Sequence, residues 1–253
     1  MGKLIILGSS NAIPDPRHEN THMVFTGDKR TVLVDCVSNP VLRLQQAGID
    51  FIDSLTDIIL THFHPDHVSG LPLLLMNMWL LGRKHPLNIY GLHYTLDRME
   101  DLMRSYAWSE WPDFFPVVFY RLPEDERTQV MESEEYLVHA SPVKHLIPAI
   151  GLRVEHRPSH RVVAYSCDTG PCDEVVRLAE AADVLLHEAG GAIPGHTSAQ
   201  QAGEIAGRAG VRELILIHYP TGKYASGDPL AEAQKAFHGP VRLAQDFMVI
   251  ELG

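Results

Sequence analysis

The heptad Thr61-His62-Phe63-His64-Pro65-Asp66-His67 packs three imidazoles and a carboxylate into six positions. Neutral imidazole with carboxylate is the donor set zinc prefers, and three rings so close together would cost stability if desolvated without partners. A metal is the simplest partner. Histidines two positions apart share a face only in extended chain, unlike the histidines of a helical zinc motif, which stand one turn apart. The cluster follows the apolar run Asp57-Ile58-Ile59-Leu60 and is therefore expected at a strand-to-loop junction.

Three distant residues extend the pattern. Asp168 and His218 each stand just beyond a strand-like run, as His62 does, and His145 follows Pro142-Val143-Lys144. Widely separated segments could thus deliver ligands to one edge of a sheet. Any one of these residues alone would be an ordinary turn residue, so the weight rests on their joint placement.

The elements that must position them are short. Runs at 3–7, 31–35, 57–60 and 87–90 read as strands, as do 150–155, 162–166, 183–187 and 214–218. Helical spacing appears at 41–47, closed by Gly48, at 95–106 with Thr95 as its cap, and at 174–181. Ser198 and Gln201 match a capping box for a helix over 199–209 that Gly210 ends, and Asp228-Pro229 opens another through Phe237. Residues 71–81 are apolar nearly all round, which predicts a helix buried on most sides whose remaining face could pair two copies. The aromatic residues from Trp108 to Tyr120 read as core packing of an irregular connection, with a lid or substrate wall as the alternative. Strands alternate with helices, which indicates α/β layering around sheets in one domain, 1–253.

Composition narrows the partners. At 253 residues the chain can bury a large core, and its longest apolar run is too short to span a bilayer. A net charge of −11 disfavours long-range attraction to nucleic acid without excluding a local basic groove. Cys36, Cys167 and Cys172 form no disulfide framework and no Cys-x-x-Cys pair, so reduced structural thiols and a cytoplasmic setting are expected. Gly8-Ser9-Ser10 cuts the first apolar run too early for a secretory leader, so that run reads as a first strand.

His62-x-His64-x-Asp66-His67 followed by His145, Asp168 and His218 resembles the metallo-β-lactamase superfamily in its dinuclear form. The resemblance implies a four-layer αβ/βα sandwich with the metals at the sheet edge. It also implies that His62, His64 and His145 hold one cation, that Asp66, His67 and His218 hold the other, and that Asp168 bridges them. Asp35 corresponds to the family's early aspartate, which supports the histidine loop from behind. Two divalent ions are implied, zinc being favoured over manganese or iron. Within the superfamily, Leu7-Gly8-Ser9-Ser10-Asn11-Ala12-Ile13-Pro14, His187-Glu188-Ala189 and Gly195-His196-Thr197-Ser198 resemble ribonuclease Z, whose equivalents of Glu188 and His196 cooperate to protonate the leaving oxygen. Only residues 146–167 separate His145 from Asp168, which leaves no room there for the long arm that many of those nucleases carry.

The expected chemistry is hydrolysis of a phosphodiester, either an RNA 3′ end or a small diester, by a metal-bridging hydroxide. Asp66 would orient the nucleophile while ligating, and His196, polarised by Glu188, would protonate the departing alkoxide. Lys144 and Arg17 are candidates for neutralising the phosphate. Two other readings fit the same ligands: a carboxylic ester, lactone or thioester hydrolase, and a non-catalytic binding module stabilised by metal.

Overall fold

The computed structural model describes residues 2–253, which form two seven-stranded sheets laid face to face. The first holds β1 (Lys3–Gly8), β2 (His22–Thr26), β3 (Thr31–Val34), β4 (Asp57–Ile59), β5 (Leu87–Leu92) and β6 (Val117–Leu122) side by side in chain order. The second holds β7 (Thr128–Glu132), β8 (Tyr136–Val143), β9 (Ala149–His156), β10 (Arg161–Tyr165), β11 (Val184–Glu188), β12 (Glu213–Ile217) and β13 (Val241–Leu243). The chain then returns as β14 (Val249–Glu251) to the free edge of β1. Each sheet begins as an antiparallel meander and continues in parallel from β3 and from β10. The parallel halves need crossovers, and each of them contains a helix.

Three apolar clusters define the layers. Leu4, Ile6, Met23 and Val34 of the first sheet meet Val138, Val154, Leu186 and Ile215 of the second across the central interface. On the outer face of the first sheet lie α1 (Pro40–Gln46), the single turn α2 (Pro65–Val68), α3 (Leu71–Leu80) and α4 (His93–Ser105), around a core that includes Leu33, Ile58, Leu74 and Met99. On the outer face of the second lie α5 (Asp173–Leu178), α6 (Ala199–Ala209) and α7 (Pro229–Gln234), packed on residues such as Leu185, Ile205 and Leu216. The architecture is thus the four-layer αβ/βα sandwich. No helix among the described residues is long and apolar enough to cross a membrane.

Several local expectations need adjustment. Thr95 does not cap a helix; α4 starts at His93 directly from β5, and the buried Thr95 hydroxyl has no hydrogen-bond partner. The helix after Asp228 ends at Gln234 rather than Phe237, although Asp228 accepts the Ala231 N–H as a cap should. Strand β2 lies in a stretch for which the sequence suggests no element. The aromatic residues from Trp108 to Phe119 pack on the outer core of the first sheet, where Trp111 stacks on Trp79 with centroids 4.9 Å apart and the Trp79 indole donates to the Pro112 carbonyl, while the exposed Tyr120 stacks on Tyr90 on the other face. They form no wall of the histidine cluster.

Candidate metal centre

The site grows out of strand ends. Parallel pairing of β3 with β4 sets Val34 opposite Ile59, so Asp35 emerges beside Thr61 and the histidine loop. Parallel pairing of β10, β11 and β12 likewise aligns the exits that carry Asp168, Glu188 and His218. Asp35, Cys167 and His218 all have positive φ, at 61°, 56° and 53°, which turns the chain sharply out of each sheet at the point where the cluster begins. Left-handed backbone at non-glycine residues costs on the order of 1–3 kcal/mol each and persists where surrounding contacts over-determine it. At Gly70 a Cβ would stand 2.7 Å from the Val37 backbone, so only glycine lets α3 begin tight against the Cys36-Val37 segment that follows β3.

The structure brings all seven sequence-predicted ligands together. One group comprises His62, His64 and His145, and a second comprises Asp66, His67, Asp168 and His218; within each, the candidate ligand atoms lie within 4.8 Å of one another. Asp168 stands between several rings, its Oδ2 3.2 Å from His218 Nε2, 3.5 Å from His67 Nε2 and 4.0 Å from His62 Nε2. His64 Nδ1 is 3.1 Å from both His62 Nε2 and His145 Nε2. His196 is also within reach of His145 and Asp168, a third grouping that could take part in holding a cation.

Supporting contacts fix which nitrogen faces inward. Asp35 accepts the Thr61 N–H at 2.8 Å, the Thr61 hydroxyl and, at 2.7 Å, His67 Nδ1–H, which leaves His67 Nε2 for the cluster. Because the Thr61 hydroxyl donates to Asp35, it can accept from His62 Nδ1–H at 3.1 Å and so frees His62 Nε2. His145 donates Nδ1–H to the Gly195 carbonyl at 2.8 Å. Histidine ligands are commonly oriented in this way by the bond their other nitrogen makes.

The donor set fits a cation. His67 Nε2, Asp168 Oδ1 and His218 Nδ1 are buried without hydrogen-bond partners, and unpaired buried groups of this kind cost about 1–3 kcal/mol apiece. A cation among them would relieve that cost for the atoms that face it. Burial pushes His62 well below the usual histidine range and His218 down to about 4, whereas at His67 burial is outweighed by the carboxylates of Asp168 and Asp35, which hold the ring well above that range. Burial would raise Asp168, but His218 and His67 hold it well below the usual carboxylate range.

A second buried carboxylate serves the opposite wall. Glu188, at the end of β11, accepts the N–H groups of Thr197 at 2.8 Å, Gly190 at 2.6 Å and Thr169 at 3.3 Å, together with His196 Nδ1–H at 3.2 Å. Burial raises Glu188, and its bond to His196 raises the histidine in turn. The cleft over the cluster has a volume of about 200 Å³; His64, Asp66, Asp168, His196 and His218 line its floor and side. A larger surface cleft of about 820 Å³ lies near Ser159, Arg212 and the C-terminal residues, and none of the ligand groups borders it.

Some contributors are not singled out by the sequence. Thr61 and Thr197 stand inside the quoted motifs but their roles in positioning rings and backbone are not read from them, and Thr169, an isolated loop threonine, gives no signal. Cys167 is fully buried with Sγ 3.5 Å from His62 Nδ1, a packing contact behind the ring. Arg17 and Lys144 do not line the cleft.

A family model described as a beta-lactamase superfamily domain matches residues 30–219. The chain belongs to that superfamily. The ribonuclease Z of Thermobifida fusca is 30% identical over 97% of this chain and 93% of its own length. The ribonuclease Z of Methanothermobacter thermautotrophicus is 28% identical over 100% and 97%, in an alignment of 307 positions, so it carries stretches that this chain lacks. Among solved structures, human tRNase Z, short form, superposes with a TM-score of 0.78 at 25% identity over 99% of each chain. The metallo-beta-lactamase fold protein YhfI from Bacillus subtilis superposes at 0.80 with 23% identity over 98% of each. Within the superfamily, then, the chain is a metal-dependent hydrolase of the ribonuclease Z-like branch.

Proposed function

We propose that this hydrolase cleaves phosphodiesters with a pair of divalent cations, zinc favoured, held by His62, His64 and His145 on one side and by Asp66, His67 and His218 on the other, with Asp168 shared. When bound, such a pair supplies the Lewis acidity that generates a nucleophile from water at neutral pH and neutralises charge on the phosphoryl group. The residues of the chain supply the rest. Asp66, at the cleft, is placed to accept a proton from the attacking water and to orient it. His196 is bonded through Nδ1 to Glu188, which leaves Nε2 free to carry a proton toward the leaving oxygen. Glu188 raises the pKa of His196 and so favours its protonated form near neutral pH. Water and diester become monoester and alcohol, the leaving oxygen taking the histidine proton.

The Glu188–His196 pair beside the ligand cluster is the observation that carries this reading. Attack on an acyl group that expels a thiolate needs a dedicated proton donor less than expulsion of an alkoxide from phosphorus does. Removal of His196 by substitution to Ala should therefore lower turnover of a dinucleotide, whose leaving group is an alkoxide, by about 10²–10⁴-fold. A nitrophenyl diester, whose leaving group departs unaided, should lose far less. Equal rates for parent and variant on both substrates, with metal content unchanged by elemental analysis, would take His196 out of the leaving-group role. The human neighbour is named tRNase Z and the microbial relatives ribonuclease Z, which supports RNA as one substrate class. We further propose a cytoplasmic setting and one catalytic domain over 1–253, with the exposed Leu80 and Leu81 at the end of α3 as a contact between two copies.

A further inference from the structure

The rim of the metal cleft is apolar where a nuclease for structured RNA would want cations. Ile13 and Ile193 both line the cleft and are 49% and 57% exposed. Leu146, 64% exposed, flanks Gly195 on the same side: a Cβ at Gly195 would stand 2.9 Å from its Cγ. Large aliphatic side chains this open are uncommon without a partner when they cluster at a concave site.

The backbone that carries two of these side chains is held in place. The Ile13 carbonyl accepts the Ser10 hydroxyl at 3.0 Å, while the Ile193 carbonyl accepts the His196 N–H at 3.0 Å. Ile193 is therefore tied to the residue that faces the leaving oxygen, and Ile13 closes the cleft with it. Among the described residues no lysine or arginine lines the cleft. The basic side chains Arg17 and Lys223 face a separate cleft of about 550 Å³ that they share with Asp15. The Arg17 N–H donates to the Asp15 carboxylate and pulls its pKa down to about 2, so an anion stays among those cations.

Two further features point the same way. Binding a polynucleotide depends on neutralising a series of phosphates, and the formal charge of the chain is −11. The segment that presents His145 is only the turn 144–148 between β8 and β9, so no arm rises there beside the cleft to hold a distant part of a large substrate.

Resting on the phosphodiesterase reading, we propose that Ile13 and Ile193, with Leu146 beside them, seat an aromatic or alkyl ester arm, and that the substrates are small organic phosphodiesters rather than structured RNA. The roughly 200 Å³ of the cleft suits a phosphoryl group and the first atoms of its arm, with the remainder lying over the rim.

Calorimetry on the zinc-loaded protein with phenylphosphonate and methylphosphonate tests the seat without turnover. Phenylphosphonate should bind about tenfold more tightly, and the ratio should fall to about one or two in the variant combining Ile13→Ser and Ile193→Ser. Both residues are open to solvent, so the serines leave the core intact, and zinc content should match the parent. The variant should hydrolyse bis(p-nitrophenyl) phosphate with a raised KM and little change in kcat. Equal affinity for the two phosphonates in a parent that hydrolyses diesters overturns the rim assignment alone, as does a tenfold preference that survives in the variant. Faster cleavage of a hairpin RNA with a 3′ tail than of the aryl diester overturns the small-substrate assignment. A zinc-loaded protein that binds neither phosphonate and hydrolyses no diester overturns the phosphodiesterase reading, and the seat falls with it.

Discussion

Asp35 and Glu188 invite comparison, because each is a fully buried carboxylate at the end of a strand and each orients one histidine. They lie in different sheets and brace different walls of the same cleft. Asp35 grips the Thr61 backbone, the Thr61 hydroxyl and the inaccessible His67 ring, so everything it touches is core. Glu188 grips three backbone N–H groups of two loops, but its histidine opens onto the cleft, with an 18% exposed side chain. Similar chemistry at a strand end thus gives a rigid support in one sheet and a solvent-facing acid in the other. The difference comes from the segments that carry the two histidines. A helical turn beyond β4 folds His67 back under the cluster, whereas an extended loop beyond β11 swings His196 over it.

The largest expected effect breaks the Asp35 side. Asp35→Ala leaves Thr61 and His67 without their acceptor, and loss of one partner of a buried charged pair typically costs about 3–5 kcal/mol. Urea denaturation of the metal-free protein should show a loss of that order, and competition with a chelator should show metal affinity reduced about 10–100-fold. Unchanged metal affinity would mean that Asp35 does not support the ligand loop.

Glu188→Gln should behave differently, and that contrast sharpens the comparison. The amide keeps an acceptor oxygen for the loop N–H groups but removes the charge that raises His196. Metal content should hold while kcat on an alkoxide-leaving diester falls about 10²-fold, near 2.7 kcal/mol. Since the acid form of His196 is the active one, activity declines as pH rises through its pKa. Lowering that pKa moves the alkaline limb of the kcat profile to lower pH. A limb that stays in place would separate Glu188 from the proton donor.

Much of this geometry is legible in the sequence, for definite reasons. Ligands must end strands, and strands ending in Asp or His are conspicuous because aliphatic runs precede them, as 57–60 precedes His62 and 214–217 precedes His218. The capping box at Ser198 and the stop at Gly210 are visible because they depend on local hydrogen bonds between near neighbours, and both form. Other features depend on distant chain. Strand β2 pairs on both sides within a sheet, yet its His-Met-Val-Phe-Thr run lacks the alternation that would set it apart from the loop before it. Strands β13 and β14 are three residues each, too short for any periodicity to register. Thr95 misleads because a threonine in front of a helical pattern usually caps it, whereas here the preceding strand feeds the helix directly. The apolar rim of Ile13, Leu146 and Ile193 comes from three separate loops and exists only once they are folded together.

A more gradual effect concerns His187, the residue before Glu188, and tests how firmly the end of β11 is fixed. Burial lowers its pKa to about 4 from an ordinary value near 6.5. The unfolded chain therefore takes up a proton on acidification before the native state does. Stability should fall as pH drops from about 6.5 toward about 4, by at most about 1.4 kcal/mol per pH unit from this residue. Denaturation of the metal-free protein across that window should show a slope that is shallower by up to this amount in His187→Gln. An identical slope would mean that the ring is not held neutral by burial.

The smallest effect lies at the far end of the Glu188 loop. The Ser198 side chain accepts the Gln201 N–H while the Gln201 side chain accepts the Ser198 N–H, so the loop carrying His196 is anchored where α6 begins. Ser198→Ala removes one half of that reciprocal pair, which typically costs about 1 kcal/mol. The three bonds from backbone N–H groups to Glu188 remain, and one of them comes from Thr197, immediately after His196. Thermal stability should therefore fall modestly while the alkaline limb of the kcat profile stays where it is. If that limb instead shifts as it does in Glu188→Gln, His196 is positioned by the helix cap as much as by the carboxylate, and the contrast between the two carboxylates narrows to what Asp35 does alone.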